Sequence, residues 1–171
     1  MSGIMEKINR NWWVLPILAF ACALMCLLAI SVIGGPRLLA GLEPDLRKDI
    51  YSSLTGSSSG LLGFALAAVA ILSAFAPKAD AQGANRRRER EMAEARNDIA
   101  KCLIMTSLFL MMILVMSTIG IGIDSEQGGN RLISSVIISA SFASLVGLLI
   151  SGLGVTLSIL ERNDQSRQAR R

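Results

Sequence analysis

This sequence predicts an all-α fold: an integral membrane four-helix bundle with a cytoplasmic helical extension preceding the third span. Three observations carry that reading. Apolar residues make up 52% of the 171 residues and mean hydropathy is +0.53, above the usual globular composition. The excess gathers in four uncharged stretches, 11–36, 50–77, 102–123 and 132–160. Each exceeds the roughly 20 residues that a helix rising ~1.5 Å per residue needs to cross a ~30 Å hydrocarbon layer. A soluble core helix seldom runs that far without a charge, because its outer face must meet water. Finally, 13 of the 17 basic residues fall in alternate segments: before the first span, between the second and third, and after the fourth. By the positive-inside rule both termini and the middle loop are cytoplasmic, which makes this a multi-pass protein of a cell inner membrane. The whole chain, 1–171, reads as one four-pass transmembrane domain.

The first span covers about 12–33. Trp12 and Trp13 anchor it at the inner headgroup level, where amphipathic rings settle. Its apolar run is longer than a signal-peptide core and no A-x-A site follows, so retention of the segment is expected. Ala19, Phe20 and Ala21 before Cys22 make a poor lipoprotein signal. Cys22 and Cys26, four residues apart, read as small packing residues.

The second span covers about 55–76. Pro44 suits the first turn of its helix, where a missing N–H costs nothing. Leu46, Ile50 and Leu54 then form an apolar stripe, which directs Arg47, Lys48 and Asp49 to water. Tyr51 is the expected outer interface anchor. The Ser- and Gly-rich stretch at 52–60 is therefore the mouth of a helix that enters along the outer surface, with a bend allowed at Gly56 and Gly60.

Between the second and third spans, NRRREREMAEARNDIAKC contains neither Pro nor Gly and is rich in helix formers. It predicts a cytoplasmic helix over about 85–101, started at Asn85 and continuous with the third span at 102–123. Met92, Ile99 and Leu103, with Ala95 between them, trace a narrow apolar seam outside the bilayer. That seam and the block Arg86, Arg87 and Arg88 form the candidate docking surface for a soluble partner. The net charge of only +2 from Arg86 to Lys101 is low for nucleic acid, and no direct nucleic-acid binding is expected.

The fourth span covers about 132–160. In lipid, helices attract through close backbone approach at small residues. This span carries Ser135, Ser139, Ala143, Gly147 and Ser151 at four-residue steps. The second span carries Gly56 and Gly60, and, on a neighbouring row, Ser59, Gly63 and Ala67. These rows predict a tight contact between spans two and four, with the third span facing lipid over much of its surface. The hydroxyls admit another use: Ser144 and Ser151 are candidates to line a water-filled pore. Against that, the spans hold no charged residue of the kind that marks ion and proton paths.

Catalytic chemistry finds little footing. There is no His, the three Cys are scattered, and Walker, Rossmann and nucleophile-elbow patterns are missing. No enzyme activity, metal or cofactor is expected.

Gly60-x-x-Gly63-Phe64 followed by Ala67, Ala68, Ile71 and Leu72, with a basic helix before the third span, resembles small four-pass bacterial and prophage membrane proteins. In size and layout the chain is similar to the membrane subunits of two-component phage-defence systems, such as the Kiwa membrane subunit and the RexB-like phage-exclusion proteins. The resemblance implies a membrane component, oligomeric with itself, that acts with a soluble cytoplasmic partner in phage defence or exclusion. The residues leave two other roles open: a holin-like or pore-forming protein that permeabilises the membrane, and a structural or assembly subunit.

Overall fold

The computed structural model describes residues 12–34, 39–74, 85–123 and 129–168, with side chains described at 13–34, 39–74, 97–123 and 129–156. Four helices form a bundle: α1 (Leu15–Val32), α2 (Pro44–Ala74), α3 (Asn85–Ile123) and α4 (Arg131–Gln168). All four are long and apolar enough to cross a membrane. The two short connections, from α1 to α2 and from α3 to α4, share one end, here the loop end. At the opposite end, the stalk end, α3 begins and α4 finishes.

Local sequence explains the helix limits. A 3-10 turn at Trp12–Val14 leads into α1, whose first turn holds Pro16. Past the end of α1, Gly34 takes φ +84°, a left-handed conformation that glycine adopts without strain. Helix α2 starts at Pro44, with Asp45 in its first turn where the helix dipole favours a negative charge. At the head of α4, Asn130 Oδ1 accepts from the Leu132 N–H at 2.9 Å, a side-chain N-cap.

The packing order departs from the expectation. Helix α3 is central, lying between α2 and α4, while α1 packs on the other flank of α4. Spans two and four are not the tight pair, and the third span does not chiefly face lipid. Its buried side chains, Ile99, Cys102, Leu103, Thr106, Ser107, Leu110, Ile113 and Ser117, form a wide face turned to both neighbours. The reason lies in α2. Its buried residues Tyr51, Ser58 and Ala65 recur every seven positions, the repeat of a left-handed helix pair, and this seam meets α3. Gly56, Ser59, Gly60, Gly63 and Ala67 lie toward the other side of α2, and all five are exposed.

At mid-height Leu110, Ile113 and Ala140 form an apolar cluster, joined by Phe20 from α1, Leu54 and Leu62 from α2, and Met112. Phe20 stacks at a tilt on Phe109, with centroids 5.1 Å apart. The exterior is apolar as well: Met25, Phe64, Leu108, Leu145, Leu149 and Leu153 are all exposed. Large side chains outside and Ser, Ala and Gly between α3 and α4 suit a lipid solvent, in which close approach holds helices together.

Candidate functional site

Two polar clusters stand out among the described residues, one toward each end of the bundle, with buried serines between them. At the loop end Arg47 is 2% exposed. Its Nη1 donates to the carbonyl oxygens of Ala40 at 3.2 Å and Leu42 at 3.0 Å. The Ala40 carbonyl also accepts the Gly129 N–H at 3.3 Å, so one oxygen joins both short loops to the guanidinium. A Cβ at Gly129 would stand 3.0 Å from Ala40 Cα and 3.2 Å from Arg47 Cδ, so any other residue would push the two loops apart by a few tenths of an ångström.

One turn along α2, Tyr51 is 1% exposed. Its ring lies against Gly120, where an added Cβ would be 3.0 Å from Cε2, and its hydroxyl is 3.5 Å from that of Ser134. Two expectations are corrected here. Arg47 does not point to water, and Tyr51 is not a lipid-facing anchor. Both lie on the α2 face that meets α3, together with Leu54 and Ser58, at spacings of four, three and four residues. The stripe through Leu46 was the wrong one, since Leu46 is 49% exposed.

At the stalk end of the apolar region, Thr106 on α3 faces Gly147 on α4, with Pro16 of α1 against the same glycine. The Cys102 thiol points to the Gly147 carbonyl oxygen 3.7 Å away, and Ser151 lies beside that thiol. Cys102 is fully buried. The Lys101 ammonium lies 5.9 Å from the centroid of the half-buried Trp13 ring and 3.3 Å from Asp98. This corner helps to dock the start of α1: the Lys101 ammonium lies over the Trp13 ring while its side chain stays partly open to water. The side chain of Trp12 lies outside the described residues.

The predicted packing residues divide between the two rows. Ser135, Ser139, Ala143, Gly147 and Ser151 are all buried along α4, and the helix they meet at Gly147 is α3. The α2 row of Gly56, Ser59, Gly60, Gly63 and Ala67 is exposed among the described residues, and a Cβ added at Gly56, Gly60 or Gly63 would meet nothing within 4 Å. Cys22 and Cys26 are exposed on α1 among the described residues and do not belong to the buried core.

Most hydroxyls bond their own helix. Ser139 donates to the Ser135 carbonyl, Ser144 to that of Ser141, Thr106 to that of Cys102 and Ser107 to that of Leu103. This is the usual way for Ser and Thr to satisfy themselves in lipid. Of the two candidate pore hydroxyls, Ser144 is therefore used internally. Among the described residues the buried Ser117 and Ser151 hydroxyls have no partner in hydrogen-bonding geometry, although Ser151 lies beside the Cys102 thiol.

Of the docking residues, Ile99 is 4% exposed and belongs to the bundle. The apolar seam therefore does not stand free at Ile99. The reason is that the bundle extends past the point where charge begins on α3: Ile99 is already packed although Asp98 and Lys101 flank it. Arg86, Arg87, Arg88 and Met92 lie on the helical backbone of α3, and their side chains are outside the described residues.

The sequence reading missed the length of α4. It continues as helix to Gln168, beyond the last apolar residue, Leu160, just as α3 starts well before Cys102. The absence of Gly and Pro from 155–171 was the available signal. At 39 and 38 residues, these helices are roughly 58 and 57 Å long, far more than a ~30 Å layer requires. No protein-family model, curated protein or solved structure matches this chain.

Proposed function

We propose that this chain is the inner-membrane component of a two-component system and works at its stalk end with a soluble cytoplasmic partner, in phage defence or exclusion. The observation that carries the reading is the paired overhang: α3 and α4 both run on as helix at the same end, from Asn85 and to Gln168. A protein that needed only to fill the bilayer has no use for two such extensions. The defence role is supported by the four-pass layout with a basic helix before the third span. Oligomerisation is supported by the α2 row from Gly56 to Ala67, which is exposed among the described residues and offers close approach to a second copy.

Orientation is tested by reporters. One fused after Arg171 and one inserted near Gly83 are expected to read cytoplasmic, and one near Gly128 to read outside. A periplasmic signal from either of the first two removes the cytoplasmic partner. Met92→Glu is expected to abolish copurification of that partner and plating resistance to phage while leaving the amount of inserted protein unchanged. Ile99→Glu is unsuitable for this purpose, because it would place a charge inside the bundle.

A pore is the second reading, favoured by the buried, unpartnered hydroxyls of Ser117 and Ser151. If water runs through the bundle, Ser117→Ala and Ser151→Ala reduce dye release from proteoliposomes, while Ser144→Ala, whose hydroxyl serves Ser141, does not. The apolar cluster of Leu110, Ile113 and Ala140 midway between the two ends favours a sealed interior, for which no release is expected from the parent protein.

A further inference from the structure

We infer that the Gly147 carbonyl oxygen is a two-position latch on the seam between α3 and α4. It accepts either the Cys102 thiol, which holds the stalk end of the seam closed, or the Ser151 hydroxyl of its own helix, which lets α4 swing away beyond that residue. The latch concerns motion within this chain and does not depend on a partner.

A backbone carbonyl has two lone pairs for donors. Within α4 the Gly147 oxygen receives the N–H of Ser151, four residues on, and the Cys102 thiol donates to it across the seam at 3.7 Å. Both places are then taken. The hydroxyls of Thr106, Ser107 and Ser139 each donate to the carbonyl four residues back, at 2.8 Å. For Ser151 that carbonyl is Gly147, where the thiol stands in its way. The Ser151 side chain, 4% exposed, is left beside the thiol with no partner in hydrogen-bonding geometry.

Exchange removes that deficit. A thiol is a weak donor and a hydroxyl a stronger one, so the Gly147 oxygen gains when Ser151 takes the place of Cys102. The thiol then has the Asp98 carbonyl, four residues back on α3, and both groups are satisfied within their own helices. Packing opposes the change, because Thr106 and Pro16 lie against Gly147 and Cys102 is fully buried. Hydrogen bonding favours one arrangement and close contact the other, which makes the seam bistable at this level.

The part set free is the far end of α4. Among its described side chains burial stops at Ser151: Gly152, Leu153, Val155 and Thr156 are exposed and Gly154 is half-buried. Helices bend sharply at Gly/Ser pairs, and two glycines just past the latch weaken the helix where it must pivot. From Gly152 to Gln168 the helix is a lever roughly 24 Å long.

The test uses the full chain in nanodiscs, with nitroxide labels on unnatural residues at positions 97 and 156, both exposed at the stalk end of the packed region, so that Cys102 stays free. Pulsed electron spin resonance reads the distance between α3 and α4. The parent is expected to show a shorter and a longer population. Ser151→Ala removes the competitor and is expected to lower the ratio of longer to shorter about fivefold, the worth of one net hydrogen bond; Cys102→Ala is expected to raise it by a similar factor. Each variant deletes a small group from the same seam, so lost packing alone moves both in one direction. Gly152→Ala, whose added methyl meets nothing within 4 Å, is expected to shrink the longer population by stiffening the pivot. A single distance in the parent, no shift or shifts of the same sign in Ser151→Ala and Cys102→Ala, or a Gly152→Ala chain that matches the parent overturns the inference.

The thiol reports independently. With Cys22 and Cys26 replaced by Ala, Cys102 is the only thiol in the chain, and its S–H stretch in the infrared is expected to show two bands that merge into one in Ser151→Ala. One band in both chains overturns the exchange at Gly147.

Discussion

Gly147→Leu is expected to destabilise the detergent-solubilised protein by about 2–3 kcal/mol, the usual cost of overpacking a close helix contact. A bare Cβ at this position already runs into the Thr106 hydroxyl, and it stands 3.2 Å from Thr106 Cβ and 3.4 Å from Pro16 Cγ. Three helices, α1, α3 and α4, meet there, so relief in one direction compresses another. Gly147→Ala is therefore also destabilising, and Thr106→Ala in the same chain restores part of the loss by removing the hydroxyl. The double-mutant cycle isolates that contact. Leu149→Ala, at a position 67% exposed, is expected to change stability by less than about 0.5 kcal/mol. Equal denaturant midpoints for the Gly147→Leu and Leu149→Ala variants would show that the α4 row is not a packing seam.

Arg47→Met is the other substitution with a large expected effect, a loss of about 2–3 kcal/mol. Its guanidinium donates to the carbonyls of Ala40 and Leu42; without it the Leu42 oxygen loses this donor, the Ala40 oxygen keeps only the Gly129 N–H, and the charge-assisted bonds that tie the loop end are lost. Methionine keeps much of the stem's volume, so the change reports the hydrogen bonds more than the packing. Arg47→Lys recovers only part of the loss, because an ammonium lacks the planar fork of donors that spans two acceptors. Lys48→Met, on the exposed neighbour, is expected to be nearly neutral. Hydrogen exchange locates the effect: the Gly129 amide, bonded to the Ala40 carbonyl, loses protection in Arg47→Met and keeps it in Lys48→Met.

The parts of the fold legible in the sequence are those set by solvent. Lipid demands about 20 uncharged residues per crossing, and the four stretches satisfy that without reference to neighbours. Pro44 as a helix start and the small-residue row of α4 follow from rules equally local. What could not be read was which face of each helix meets which neighbour. In water an amphipathic stripe answers that, but α1 is apolar all round, the third span has large side chains on every side, and lipid removes the contrast. Two rows of small residues then look alike, one buried on α4 and one exposed on α2. Arg47 and Tyr51 were misplaced for a related reason. Polar side chains near an interface read as facing water or headgroups, whereas the turn at Leu39–Gly41 brings the Ala40 carbonyl, with that of Leu42 beyond it, to receive Arg47. Ile99 was assigned to a free seam because charge begins near it, yet packing between helices continues past the onset of charge.

The central claim is that this protein acts through its stalk end and not through its interior. In-cell photocrosslinking from a photoreactive residue at position 92 tests it most directly, since that site lies on the helical overhang of α3 and outside the packed apolar region. The account predicts a discrete adduct with one soluble cytoplasmic protein, lost when Arg86, Arg87 and Arg88 are changed to Gln. Adducts with nothing but further copies of this chain, in cells whose membranes leak on its expression, would contradict it.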